Sequence, residues 1–250
     1  MHHSPGHVPS YEVRPGVAFP NWDAVSSRQA HDALLATLAL YDPFRDRSGF
    51  APEDDKVRQA LLRHYLESGR APGRDELRRA TGLPEAIVKI VLADLRDRDL
   101  VVLDRDGVGI VGAYPFTDRT TEHRVVIEGR EINAMCALDA LGAGAMARRD
   151  SAILSQCREC RAPLRILTAA AGTTIGDVQP ADPIVWIGRH YRGNCAASSL
   201  CMTMCFFCSE AHLEAWRVAQ VHLDGFRLSL AEGLEVGRAL FEPALSGTTQ

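Results

Sequence analysis

Between residues 52 and 111 the apolar residues change their period, and this change restricts the fold more than any other feature of the chain. Val57, Leu61, Leu62 and Tyr65 recur at helical spacing and predict a helix over 52–67, ended by Gly69 and Pro72. A short second helix is predicted over 74–81, stopped by Gly82. A third starts near Pro84, a proline suited to a first helical turn, with Ile87, Ile90, Val91 and Leu95 as its stripe. The pattern then shortens to that of strands, 100–103 and 108–111, around a turn at 104–107. Three helices followed by a hairpin form the winged-helix pattern. Residues 51–115 are therefore expected to be a winged-helix-like module.

Such modules often read DNA, so charge must decide. From Glu53 to Asp106 the chain carries eleven Lys and Arg against twelve Asp and Glu. The would-be recognition helix sets Lys89, Arg96 and Arg98 against Glu85, Asp94, Asp97 and Asp99. A duplex reader presents a cationic face to phosphates, so the module reads as a structural or partner-docking unit and not a DNA binder. The whole chain has 250 residues and net charge -4, which gives no basic field towards nucleic acid or anionic lipid. No stretch reaches the roughly 20 apolar residues of a membrane span. The first ten residues lack the basic and apolar regions of a signal peptide, and a cytoplasmic location is expected.

The flanking parts are read more coarsely. Residues 1–50 form an expected N-terminal extension with one short helix over 27–40, striped by Ala30, Leu34, Leu35 and Leu38. His2, His3 and His7 near its start are given no function. Residues 116–250 mix strands at 124–127, 130–132, 162–168 and 184–187 with helices at 133–148, from Glu210 onward, and at 229–241. Leu230, Leu234 and Leu240 are expected to face inward on the last helix. With no βαβ alternation and no glycine-rich phosphate loop, the fold class is α+β.

All seven cysteines lie between Cys136 and Cys208. The number is odd and the chain is not a small secreted scaffold, so thiol or metal chemistry fits better than a disulfide framework. In NAMCALDAL, Cys136 and Asp139 are three apart on the expected helix and share a face. Asp139 is the sole charged side chain between Ile132 and Ala147. If buried there, its pKa rises, and a thiol beside it can act as nucleophile or soft-metal ligand next to a proton carrier. The alternative is an ordinary helix, with Cys136 in the core and Asp139 in water.

These residues resemble the organomercurial lyase (alkylmercury lyase) family. Its signature, a cysteine followed by Ala-Leu-Asp, stands at Cys136–Asp139. SAILSQCRECRAPLRI, Asp177-Val178-Gln179-Pro180-Ala181, SSLCMTMCFFCS, Trp216 and the Glu-Gly-Leu around Gly233 are similar to further family segments. The resemblance spans roughly residues 50–245. It implies a mixed α/β catalytic domain of the organomercurial lyase type over 116–250, behind the winged-helix-like module. It also implies Cys136 and Cys201 as the catalytic thiols, Asp139 as proton carrier and Cys157 as a structural cysteine. Met135 stands where an aromatic shield is expected, and Cys205 where a histidine is usual.

The chemistry is consistent with these groups. Two soft thiolates on an organomercury substrate push electron density onto carbon, and a carboxylic acid within reach protonates it to the hydrocarbon. Cys136, Asp139 and Cys201 would then hold substrate and product mercury, with no cofactor required. The mercuric ion leaves to free small thiols, or, as the resemblance implies, to a mercuric reductase. Cys157-x-x-Cys160 and Cys205-x-x-Cys208 also allow a structural four-cysteine zinc site, although 44 residues between the pairs exceed the usual finger spacing. Cys195 has no assigned role. The competing function is a non-catalytic cysteine-rich metal-binding protein or a metal-responsive winged-helix regulator. The acidic third helix and the carboxylate beside Cys136 argue against both.

Overall fold

The computed structural model describes residues 8–45, 50–193, 195–220 and 222–247. His2, His3 and His7 lie outside them. The chain opens with an antiparallel ribbon, β1 (Tyr11–Arg14) and β2 (Val17–Phe19), followed by α1 (Arg28–Leu40). Ser27 caps α1 by accepting from the N–H groups of Gln29 and Ala30. Phe19, Leu34, Leu38 and Phe44 are buried, so the described part of the extension belongs to the core. Arg14 fixes it there. Its guanidinium pairs with Asp55 at 3.1 Å and donates to the carbonyls of Pro243, Ala244 and Ser246, the free acceptors at the end of the last helix.

Three helices follow, α2 (Pro52–Ser68), α3 (Arg74–Thr81) and α4 (Glu85–Asp97), and then the strands β3 (Val101–Leu103) and β4 (Ile110–Ala113). Pro52 opens α2, and Gly69 and Gly82 close α2 and α3 in left-handed geometry, as the punctuation of the sequence requires. Two details differ from the periodicity reading. The buried stripe of α4 is Val88, Val91, Leu92 and Leu95, while Ile87 and Ile90 face solvent. The return strand starts at Ile110 and not at Val108. The Asp104 carboxylate captures the N–H groups of Val108 and Gly109, which lengthens the loop by two residues.

The remaining elements are β5 (Phe116–Thr117), β6 (His123–Ile127), β7 (Arg130–Ala134), α5 (Ala137–Ala147), β8 (Ala152–Gln156), β9 (Pro163–Ala169), β10 (Thr174–Gln179), β11 (Ile184–Gly188), β12 (Met204–Phe207), α6 (Glu210–Ala219), β13 (Gly225–Ser229) and α7 (Leu230–Leu245). An eight-stranded antiparallel sheet has the order β10-β9-β8-β6-β7-β5-β4-β3, and a three-stranded antiparallel sheet the order β12-β11-β13. The hairpin β3–β4 is thus continuous, through β5, with the sheet of the cysteine-rich half. The expected helix over 133–148 starts later, at Ala137, because Asn133 and Ala134 complete β7 against Arg124 and His123.

Apart from Asp139, α5 is apolar on every side, and it is buried from Ala137 to Met146, as a helix inside a core must be. It packs against α7 at glycines. A Cβ on Gly142 would stand 2.5 Å from both the Gly237 carbonyl oxygen and the Phe241 ring, so the two backbones meet directly. This helix has Cys136 as its amino-terminal cap and Asp139 in its first turn.

Candidate functional site: two sulfurs and a carboxylate

Cys136 lies between the end of β7 and the first turn of α5. It is extended (φ -153°, ψ -179°) and caps the helix, its Sγ accepting from the Asp139 N–H at 3.5 Å. The expectation that Cys136 sits within the helix is therefore corrected. It shares a site with Asp139 because a cap folds back over the first turn. Free N–H groups there favour a sulfur that carries negative charge. Asp139 is only 3 % exposed, which rules out the reading that points it to solvent.

Cys201 arrives from the other sheet. It begins a 3-10 turn, Cys201–Thr203, that feeds β12, and the Thr203 N–H and hydroxyl both donate to the Leu200 carbonyl. Gly188, at the end of β11, lets this turn come close, since a Cβ there would lie 2.5 Å from the Thr203 Cβ. Cys201 Sγ is 3.7 Å from Asp139 Oδ2, and Cys136 Sγ is 3.7 Å from Met204 Sδ. The two sulfurs and the carboxylate all lie within 4.8 Å of one another, and all three residues are buried.

Burial sets the protonation. It pushes the Asp139 carboxyl up to about 7, against partial relief from the two thiols that hydrogen-bond it. It also pushes the Cys136 thiol up, joined by its hydrogen bond with Cys201 and the Asp139 charge. For Cys201 the largest influence, the Cys136 hydrogen bond, lowers the pKa, yet burial and the charges of Asp139 and Asp99 outweigh it and leave the thiol at about 11. Near neutral pH the site thus holds two protonated thiols around a carboxyl group that gains or loses its proton with little free-energy change. A soft cation binding both sulfurs must displace their protons, and Asp139 is placed to take one.

The cavity over the trio is walled by Phe19, Tyr41, Arg58, Leu100, Tyr114 and Leu200, among others. The aromatic side chains missing at Met135 are supplied from elsewhere in the chain. Arg58 is buried, its guanidinium lies 5.5 Å from the Phe44 ring, and its Nε has no hydrogen-bond partner. Burial lowers its pKa to about 10, so it stays charged at neutral pH.

Sequence reasoning also missed Asp99. This buried residue holds a left-handed conformation (φ 56°) just after α4. Its carboxylate accepts from the Ala196 N–H at 2.5 Å and from the hydroxyls of Tyr114 and Tyr191 at 3.3 Å each. The Tyr114 oxygen in turn accepts from the Ala197 N–H. Asp99 thereby anchors the loop that leads to Cys201. An aspartate after a helix is an unremarkable surface pattern, and nothing local in the sequence marks it as buried.

The paired cysteines do not all converge. The described residues hold a second close group, Cys157, Cys160, Cys208 and His212, and Cys205 is absent from it. A C-x-x-C pair brings both sulfurs together only in a turn. Cys205 lies within β12, buried, with its Sγ 3.9 Å from the Met202 carbonyl, whereas Cys208 lies beyond the strand and meets the first turn of α6. His212 takes the place expected of Cys205, and the overlooked signal was Cys208-x-x-x-His212 at a helix start. All seven cysteines are free thiols. Among the described residues no helix is long and apolar enough to cross a membrane.

The chain is similar to known proteins in both sequence and fold. Its residues 116–242, just over half of it, match the sequence family described as MerB: Alkylmercury lyase. The alkylmercury lyase of Staphylococcus epidermidis is 29% identical over 180 residues, covering 72% of this chain and 79% of that protein. That of Streptomyces lividans is 25% identical over 188 residues, covering 75% and 83%. In fold the chain is similar to the crystal structure of the mercury-bound form of MerB2, with a TM-score of 0.69 and 21% identity over 88% of this chain and 100% of that one. On the family match, the mixed α+β chain belongs to the alkylmercury lyase family.

Proposed function

We propose that this chain cleaves carbon–mercury bonds by protonolysis, with Cys136 and Cys201 as mercury ligands and Asp139 as proton carrier. The observation that carries the reading is the buried convergence of two thiols and a carboxyl group from sequence-distant elements. An organomercurial R–Hg–X binds one sulfur with loss of X and that thiol's proton. The second sulfur then binds, and its proton passes to Asp139. With two sulfurs on mercury the carbon becomes basic, Asp139 returns the proton to it, and R–H leaves as the carbon–mercury bond breaks. Mercuric ion stays on both sulfurs until two small thiols remove it and restore both protons. No cofactor takes part, and a mercuric reductase or the cytoplasmic thiol pool is the natural recipient.

The walls add a preference. They are mainly apolar, as an organic group requires, and the buried, charged guanidinium of Arg58 stands among them. A carboxylate on the organic group would pair with that charge. In this reading residues 116–250 carry the reactive groups, while residues 51–115, the winged-helix-like part, and residues 1–50 complete the pocket. The charge balance of α4 keeps DNA out of the account.

The test is to supply phenylmercury and methylmercury with excess small thiol and follow benzene and methane by gas chromatography. The reading requires hydrocarbon from the wild type and none from Cys136→Ser or Cys201→Ser. Tight mercury binding by the wild type without hydrocarbon would replace the lyase with a metal-binding protein.

A further inference from the structure

We propose that Cys157, Cys160, Cys208 and His212 form a tetrahedral site for a structural zinc ion, separate from the mercury-handling thiols. The site is built by two chain segments that the fold brings together. After β8, the Cys157 N–H donates to the Ala162 carbonyl at 2.8 Å, and the Arg161 N–H returns to the Cys157 carbonyl at 2.9 Å. Arg161 is left-handed (φ 63°), so Cys157-x-x-Cys160 curls into a knuckle. The second segment is the end of β12 and the start of α6, where Ser209 caps the helix and accepts from the His212 N–H. A further bond from the Arg158 N–H to the Phe206 carbonyl, 2.9 Å, ties the knuckle to β12.

The donor atoms already have nearly the spacing of a coordination shell. Cys160 Sγ and Cys208 Sγ are 3.7 Å apart, Cys157 Sγ and His212 Nδ1 3.8 Å, and Cys208 Sγ and His212 Nδ1 2.9 Å, all four atoms within 4.8 Å of one another. Tetrahedral zinc, at about 2.3 Å from sulfur and about 2.0 Å from nitrogen, sets sulfurs roughly 3.8 Å apart and sulfur from nitrogen roughly 3.5 Å. Three sulfurs and one imidazole close the tetrahedron with no position left for substrate, which is the character of a structural and not a catalytic site. The set has no carboxylate and suits a borderline-soft ion over magnesium or calcium. The trio around Asp139 differs in every respect, having three donors, complete burial and an adjoining cavity. β12 separates the two sites, its four residues spanning roughly 13 Å. Zinc would therefore pin the far end of the strand whose near end follows Cys201.

The experiment uses full-length protein purified under reducing conditions, with metal measured by mass spectrometry after dialysis against a weak chelator. One zinc per chain is expected in the wild type, in Cys205→Ser and in the Cys136→Ser/Cys201→Ser double variant. At least a tenfold loss is expected in Cys160→Ser, an exposed position whose change leaves the core untouched, and in His212→Ala. Cobalt in place of zinc is expected to give intense tetrahedral visible bands and thiolate charge transfer in the wild type, lost in Cys160→Ser. The proposal is overturned by wild-type protein that takes up neither metal, by zinc retained in Cys160→Ser and His212→Ala, or by zinc lost from Cys205→Ser or the double variant. A Cys160–Cys208 disulfide in protein prepared without air would overturn it as well. None of these outcomes depends on whether the chain is a lyase.

Discussion

At the scale of single residues, Asp139 carries the largest consequence. Its carboxyl sits at about 7 in the folded chain against 3.8 for an aspartate free in water, because burial penalises the charge. The folded state therefore binds a proton more tightly than the unfolded chain between about pH 4 and 7. Stability is greatest below that window and declines as pH rises through it, by on the order of 4 kcal/mol once Asp139 is fully ionised. Asp139→Asn removes this penalty, so its thermal midpoint should exceed the wild type's at pH 8 and lose that advantage near pH 4, as calorimetry at the two pH values would show. The same substitution should lower turnover by at least about 100-fold, the usual weight of a positioned acid–base group. For the wild type, kcat/KM should rise through about pH 7 as Asp139 becomes able to accept a thiol proton, and level above it. Arg58→Met should lower kcat/KM for an arylmercurial bearing a carboxylate at least tenfold more than for phenylmercury. Equal losses on both would remove Arg58 from substrate recognition. The closeness of Cys136 and Asp139 was legible from their three-residue spacing, while their proposed roles came from the family resemblance. Asp99 and Arg58 were not legible, since their burial arises from chain packed against them from remote segments.

Among the elements, the helices were the most legible, because punctuation and period agree locally, as at α3 between Gly73 and Gly82. The start of α5 was not, because NAMCALDAL is apolar throughout and has no period to show where β7 ends. Pairing between neighbouring strands decides it, and that information lies in Arg124 and His123 on β6. The same strand-versus-turn distinction moved the fourth member of the second cluster from Cys205 to His212. Two substitutions probe how elements are held. Gly142→Ala places a methyl group against the Gly237 carbonyl, which cannot yield without parting α5 from α7. It should cost about 1–3 kcal/mol and lower the melting temperature by roughly 2–10 °C. A rise would mean helix propensity outweighs the contact. Asp99→Ala removes the acceptor of the Ala196 N–H and of the Tyr114 hydroxyl. It should destabilise by about 1–3 kcal/mol and slow turnover through the Cys201 loop, while Asp99→Asn, which keeps an acceptor, recovers part of both.

For the whole molecule, the division into 1–50, 51–115 and 116–250 follows the sequence but not the pocket. Phe19 and Tyr41 come from the first part, Arg58, Leu100 and Tyr114 from the second, and Cys136, Asp139 and Cys201 from the third. Periodicity tells which face of a segment is buried and never against what, so this convergence was beyond reach of the sequence, whereas the α+β class and the cysteine-rich half were not. The central claim is that two sulfurs hold the metal and one carboxyl supplies the proton. The most direct measurement is a single turnover of stoichiometric phenylmercury on Asp139→Asn, read by native mass spectrometry with the headspace sampled for benzene. The account requires the variant to retain the intact phenylmercury group on its sulfurs while the wild type retains bare mercury and releases benzene. Benzene from the variant at the wild-type rate would contradict it.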